Sequence, residues 1–416
     1  MKRRKFITAA SLATTGILLP VGCSSWVTQR ANSASDYAPR TSKADRQRLV
    51  VVFLRGGADG LNMVVPHQDA EYYRVRPTIA VPYPQQKNGA LDLDGFFGLH
   101  PQLKDLMPLW SQKKLAFVHT CGSPVLERSH FQAQDYIENG TPGIKNTESG
   151  WMNRLLAELP QQRTTQALNV GVTTPYILRG QMAIANLKPG TNSAAPMPTD
   201  RPQIHQAFSS LYNGSDALSK AYQDGTKARK IILTDLNQEM MTASRGAKNA
   251  NAFVDDAAEV ARLMVGNAKT QLAFMEIGGW DTHINQNVVF NRLLPSLGKG
   301  MATLVKGLEP IWNQTVILVV SEFGRTVSEN GNKGTDHGYG NVMWLLGGAV
   351  RGQKVYSQWQ GLTQAALFEN RDLPVNYDFR EIIAQTLEQH LLISPASLAR
   401  IFPDYKVSNQ LSSLFN

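Results

Sequence analysis

Short apolar runs alternating with longer stretches of helical period set the plan of this chain. Leu49–Leu54 (LVVVFL) is a continuous apolar run, the pattern of a strand buried on both faces. Lys114–Val118, Leu168–Val172, Gln271–Ile277, Thr315–Val320, Val342–Leu346 and Val355–Tyr356 repeat that pattern in shorter or weaker form. Apolar residues at three- and four-residue spacing predict helices at Pro101–Trp110, Phe290–Leu308 and Asp378–Leu392, with a further helix opening at Ser129. Phe208–Gly266 has helical spacing throughout, sharpest over Asp255–Leu263, and reads as a helical insertion or cap. Ala185–Pro202, rich in Pro, Gly, Asn and Ser, reads as a loop or boundary. Strands alternating with helices predict an α/β fold, a three-layer αβα sandwich with a mostly parallel central sheet.

The ends of the predicted strands carry the chemistry. Thr315–Val320 stops at Ser321-Glu322-Phe323-Gly324-Arg325, and a Gly/Asn-rich loop then leads to Thr335-Asp336-His337-Gly338 before the next apolar run. Gln271–Ile277 leads into Gly278-Gly279-Trp280-Asp281-Thr282-His283. Leu49–Leu54 ends in Arg55-Gly56-Gly57-Ala58-Asp59-Gly60, where glycines allow a sharp turn that brings Asp59 to the sheet edge. Ligands bind at that edge of open α/β sheets. Two clusters of Asp and His just past strands, in a chain with only eight histidines, argue for a metal or catalytic site. Each motif alone also has a plain reading: a Gly-rich turn at Asp59, a surface pair of Glu322 with Arg325, a polar turn at Asp336-His337. Ser129 stands where backbone N–H groups at a helix start favour negative charge, so it is placed either as a nucleophile for an anionic ester or simply as a cap.

The first residues change the picture of where the chain works. Met1–Ser25 carries Arg3-Arg4-Lys5-Phe6-Ile7 and an apolar stretch from Ala9 to Val21, which resembles a twin-arginine (Tat) export signal. It is too short and too weakly apolar for a membrane span. Leu19-Pro20-Val21-Gly22-Cys23 resembles a lipoprotein cleavage box, with Pro20 where Leu is usual, so a lipid anchor at Cys23 competes with ordinary cleavage. The expected product is periplasmic or extracytoplasmic, with the Tat machinery as its partner in export. Residues 26–48 read as a linker and 49–416 as the folded domain. Loss of the signal lowers the formal charge from +9 to +5, and no cluster of Lys and Arg interleaves with aromatics, which argues against nucleic acid. Besides Cys23 the chain has only Cys121, so no internal disulfide is expected once Cys23 is processed.

LRGGADGLNMVVP, RSHFQAQDYIENG, GGWDTH, SEFGRT and GTDHGYGNVMWLLGGAVRG together resemble the motifs of an uncharacterised bacterial family with twin-arginine signals, within the alkaline phosphatase-like (sulfatase-like) superfamily. The resemblance spans Leu49 to about Tyr405, with the five motifs in order. It implies an alkaline phosphatase-like sandwich in which Asp59 binds metal and Ser129 is the nucleophile. Asp281 and His283 match an Asp and His that share one metal, although their gap here is shorter. Glu322-Phe323-Gly324 takes the place of an Asp-His-Gly motif, and His337 matches the last histidine. The other register would read Asp336-His337-Gly338 as that motif, leaving only His390, on a helix, as a later His. Phe323 where the family has a His leaves a second metal with oxygen ligands only, which favours Ca²⁺, Mg²⁺ or Mn²⁺ over Zn²⁺. The Cys-x-Pro-x-Arg motif of ordinary sulfatases is absent.

The resulting expectation is an exported, metal-dependent hydrolase of phosphate or sulfate esters acting on a small anionic substrate. One metal would sit on Asp281, His283 and His337, and a second on Asp59 and Glu322, joined by Asp336. Arg325 would either stabilise the departing oxyanion or pair with Glu322. The alternative is an exported binding or assembly protein that keeps the fold and a structural metal without turnover. A Gly-x-Ser-x-Gly elbow is absent, which disfavours a serine hydrolase of another class.

Overall fold

The computed structural model describes residues 43–160, 166–171, 173–187, 202–227, 252–267, 270–406, 408 and 410–416. The export signal, Cys23 and most of the linker lie outside the described residues. The strands are β1 (Arg48–Leu54), β2 (Val64–Val65), β3 (Leu91–Asp92), β4 (Gly98–Leu99), β5 (Leu115–Gly122), β6 (Ala167–Val170), β7 (Ala185–Leu187), β8 (Leu272–Ile277), β9 (Thr315–Ser321), β10 (Asn341–Gly347), β11 (Lys354–Tyr356) and β12 (Tyr377–Asp378). The main sheet runs β11-β5-β10-β9-β1-β8-β6-β7, with β12 also on β5. Only β10 is antiparallel to its neighbours. β2, β3 and β4 form a small antiparallel sheet.

The continuous apolar runs have a simple cause. Every residue of β1 and β9 is buried, because helices cover both faces of the sheet. Val50, Val52, Leu54, Ile317 and Val319 point to one layer, packed by helices Ala252–Gly266 and Gln286–Gly307. Leu49, Val51, Phe53, Val316 and Leu318 point to the other, packed by Trp151–Glu158, Phe379–Gln385 and Pro395–Ile401. The two-residue alternation of side chains thus fills two cores from one strand. This is the three-layer αβα sandwich with a mostly parallel sheet that the pattern predicts.

Three details differ from the sequence expectation. Ala252–Gly266 belongs to a helical layer of the sandwich, not to a cap: Phe253, Ala257, Val260, Ala261 and Met264 form an apolar stripe in the core of that layer. Residues 202–227 contribute a separate aromatic cluster of Phe208, Tyr212 and Tyr222, and 228–251 lies outside the described residues. Ala185–Leu187, read as loop, is a three-residue strand paired to β6. It is too short for periodicity to register. The Asp378–Leu392 helix is an α-helix over Phe379–Gln385, capped by Asp378, that widens to a π turn over Thr386–His390.

With β10 the exception, the strands direct their carboxyl ends to one edge. The segments after β1, β5, β8 and β9 meet there. Gly56 and Gly57 make the first approach, with φ of 121° and 62°. A Cβ on Gly56 would stand 2.6 Å from the backbone nitrogen of Asp281, so only glycine lets these two loops touch.

Candidate metal centre

Three segments deliver four side chains to one point. His130 opens the helix His130–Asn139 after β5, Asp281 and His283 lie in the loop after β8, and His337 lies between β9 and β10. Asp281 Oδ1 is 3.3 Å from His130 Nε2, 3.0 Å from His283 Nε2 and 3.3 Å from His337 Nε2. The Nε2 atoms of His283 and His337 are 3.0 Å apart. His130, Asp281 and His337 each offer a donor atom within 4.8 Å of the others, and they are the only such group among the described residues. His283 adjoins them through both of its 3.0 Å contacts.

The outer nitrogens fix the tautomers. His130 Nδ1 lies 2.8 Å from Glu322 Oε1, His283 Nδ1 2.9 Å from Asp336 Oδ1, and His337 Nδ1 2.7 Å from the backbone oxygen of Arg128. Each partner can only accept, so each Nδ1 carries the proton and each neutral imidazole turns an Nε2 lone pair inward. Lone pairs and a carboxylate oxygen facing one another are repulsive unless a cation lies between them. A tetrahedral site with bonds of about 2.0–2.1 Å has edges of about 3.3–3.4 Å; the three edges on Asp281 Oδ1 and the His283–His337 edge, at 3.0–3.3 Å, are near that length, while His283 stands outside the group of three whose donor atoms all lie within 4.8 Å of one another. His130 Nε2 is a buried nitrogen without a hydrogen-bond partner, since its approach to Asp281 is close but misaligned. These residues therefore fit a divalent metal, and carboxylate or carbonyl partners behind each histidine are the usual support of such a site.

The charges follow from the same contacts. Burial pushes Asp281 up, but the hydrogen bond and charge of Arg325, with His283 and His130, outweigh it and hold the carboxyl at about 2. His130 is raised, first by its bond to Glu322, against burial. His337 is lowered, mainly by burial. For Glu322 burial acts upward, yet His130 and Gln134 take it below the usual carboxylate range. The bond from His283 lowers Asp336.

Of the residues singled out from the sequence, Asp281, His283 and His337 come together. Glu322 and Asp336 do not join them as ligands. Glu322 is buried, and its Oε1 is taken by His130, Gln134 and the backbone N–H of Gly56. Asp336 Oδ1 is taken by His283 and Asn330. Both orient imidazoles. Asp59 is not in the cluster: its oxygens are held by Arg76 at 2.6 and 3.1 Å and by Gln286 at 2.6 Å. The expected second site on Asp59 and Glu322 is thus not assembled, because their carboxylates are consumed by different partners.

Arg325 is buried and pairs with Asp281, not Glu322. Its other donors go to the backbone oxygens of Gly56, Gly57, Trp280 and Thr335. Its side chain is fully buried among these partners, so it faces no incoming substrate and positions Asp281. Ser129 is the N-cap residue, exposed and without a side-chain cap bond. Phe323 lies buried against the rings of His130 and His337, each with a centroid 4.9 Å away. His390 Nε2 lies 3.1 Å from the backbone oxygens of Arg48 and of Gln314, far along the chain from the site.

His130 is the residue the sequence reading missed. Its signal was present: a histidine in the first turn of a helix that follows a strand, four residues before a glutamine on the same face.

A family model described as "Protein of unknown function (DUF1501)" matches residues 46–401. No curated protein matches the sequence. Among solved structures, the chain is similar to the C-terminal periplasmic domain of EcEptC from Escherichia coli in complex with Zn (12% identity, TM-score 0.38, covering 89% of this chain and 93% of that one). It is similar to the lipoteichoic acid synthase LtaP from Listeria monocytogenes (9% identity, TM-score 0.37, covering 87% and 76%). It is also similar to a protein in the alkaline phosphatase superfamily from Vibrio parahaemolyticus (13% identity, TM-score 0.33, covering 86% and 71%). Likenesses this distant leave the chemistry of the site to be argued from its own residues.

Proposed function

The chain belongs to the DUF1501 family, and from its own site we propose that it is an exported metal-dependent hydrolase of phosphate or sulfate esters. The observation that carries this is the convergence of three imidazole Nε2 atoms on Asp281 Oδ1 at 3.0–3.3 Å. A set of three nitrogens and one carboxylate suits Zn²⁺ better than Ca²⁺ or Mg²⁺, which prefer oxygen. When bound, such an ion would supply Lewis-acid stabilisation of the charge on a phosphoryl or sulfuryl group.

The chain's own residues supply the rest. His130, His283, His337 and Asp281 hold the ion. Glu322, Asp336, the Arg128 carbonyl and Arg325 hold those four in place. Ser129, exposed and one residue from His130, is the nucleophile in this reading. Its Oγ bonds to phosphorus or sulfur as the ester oxygen departs and takes up the serine proton, and water then breaks the Oγ bond, its hydroxyl leaving in the inorganic anion and its proton returning to Oγ. Phe131, Ile284 and Val288 are among the most exposed large apolar side chains, at 85%, 60% and 70%, and they flank His130 and His283 in sequence. A substrate entering here meets apolar groups beside the metal ligands, so aryl esters are the first to try. Export by the Tat route, with or without a lipid on Cys23, rests on the first residues of the sequence. No helix among the described residues is long and apolar enough to cross a membrane.

One observation favours the second reading, a binding or assembly protein with a structural metal. Four protein donors is the closed count of structural zinc sites, whereas catalytic ones keep a position open. The two separate cleanly. Protein purified without chelator is expected to carry near-stoichiometric metal by elemental mass spectrometry and to turn over aryl phosphates or an aryl sulfate. Ser129→Ala should keep the metal and lose at least about 100-fold in rate, the scale of a lost nucleophile or base. Metal without turnover on any ester would move the conclusion to the structural reading, and no metal at all would end both.

A further inference from the structure

We propose that the buried carboxamide of Gln286 is the positioning residue that sets the distance between the two ligand-bearing loops, and that Asp59 and Arg76 act on the metal centre through it. The inference rests on the metal-site reading above.

Gln286 Oε1 accepts hydrogen bonds from Thr282 Oγ1 at 2.8 Å and from Thr335 Oγ1 at 2.7 Å. Its Nε2 donates to Asp59 Oδ2 at 2.6 Å, and Arg76 closes the chain with two bonds to the same carboxylate. Gln286, Thr282, Thr335, Asp59 and Arg76 are each at most 1% exposed. Thr282 lies between Asp281 and His283, and Thr335 lies two residues before His337. The loops are also zipped by the backbone bond from Thr335 N–H to Thr282 O. In extended chain, successive side chains point to opposite sides. Anchoring Thr282 on the buried side therefore turns its two neighbours, Asp281 and His283, to the open side, and the bonds of Thr335 hold the segment that carries His337 two residues further on.

Stability alone is a poor reason for such a network. A fully buried Asp–Arg pair is often no more stabilising than apolar residues of the same volume, because desolvation of both charges offsets their attraction. What the network does provide is orientation. One carboxamide, with acceptor and donor ends that cannot be exchanged without losing bonds, ties the loop after β8 to the loop after β9. Asp59 and Arg76 hold that carboxamide the right way round, and Arg76 itself donates to the backbone oxygens of Thr326 and Val327. The motif aspartate after β1 thus reaches the metal centre at one remove.

The test is Zn²⁺ affinity of the full chain, by competition with a chromophoric chelator, measured beside the Tm of the metal-free protein. Thr335→Val, which removes one donor without changing shape, should weaken Zn²⁺ binding about 10–100-fold, the range found for residues that support ligands. Asp59→Asn and Gln286→Glu should each weaken it at least as much. Combining them exchanges acid and amide, keeps one negative charge in the network, and should restore most of the affinity. Leu398→Ala, in the opposite helical layer, serves as a control that lowers Tm alone. The proposal is overturned if the single variants bind Zn²⁺ like the parent, or if their losses follow Tm along the same line as Leu398→Ala. A parent chain that binds no Zn²⁺, and that His130→Ala leaves unchanged, would overturn the metal-site reading and this inference with it.

Discussion

The smallest change that probes the site is one atom on a residue that does not touch the metal. Glu322 stands behind His130 and makes its imidazole a better donor while fixing its plane. Glu322→Gln keeps the shape but removes the charge, and is expected to weaken metal binding about 10–100-fold with little loss of secondary structure. Isothermal titration with Zn²⁺ and circular dichroism on the same sample check both halves. Phe131→Ala removes an exposed ring, so stability should change by no more than about 0.5 kcal/mol. If the ring meets the substrate, KM for an aryl ester should rise while kcat holds; an unchanged KM would remove Phe131 from the substrate path.

Elements depend on contacts that single residues permit. Helices Ala252–Gly266 and Gln286–Gly307 pack closely because Gly300 faces Phe253: a Cβ there would lie 2.3 Å from the ring. Gly300→Ala must displace that ring, and about 1–3 kcal/mol of destabilisation is expected from such overpacking. A denaturant midpoint that does not fall would show that the pair has slack. β5 carries a different sensitivity. His119 is fully buried, accepts from the N–H of Thr120 and lies 3.2 Å from Val64 O, so both ring nitrogens are matched in the neutral form. Burial holds its pKa down to about 4, and His100 likewise. As pH falls below the ordinary value near 6.5, the unfolded chain takes up a proton that the folded chain refuses. Stability is therefore full above about pH 6.5 and is lost as pH falls toward 4, by on the order of 3 kcal/mol for each histidine. His119→Gln should flatten that slope by about one proton. The comparison is made in chelator, so that metal release does not enter.

For the whole molecule, an ion bound at this site would join segments far apart in sequence, from His130 to His337. Binding to the folded state alone, it would raise stability by about 2.7 kcal/mol at a free concentration 100 times Kd. Calorimetry with and without Zn²⁺ is expected to show a Tm rise that disappears in His130→Ala.

The apolar runs, with β-branched residues packed into them, were enough to place the longer strands of the main sheet, though not the short β7 and β12, and to predict helices on both faces, because burial on two sides leaves few polar positions in a strand. Those runs also located the carboxyl edge, and with it Asp281, His283 and His337. Roles within the site were not legible. Asp59, Glu322 and Asp336 are the same residue types as ligands, and only the fold shows that Arg76, His130 and His283 have already taken their oxygens. Arg325 faces backbone carbonyls, which no pattern of side chains encodes. His130 depends on where the first turn of its helix comes to rest after β5. Sequence determines hydrophobic burial, which is local in period and so can be read along the chain. The tertiary structure decided the pairing of charges and lone pairs, because those contacts form between loops more than fifty residues apart, within a few ångströms that no spacing along the chain specifies.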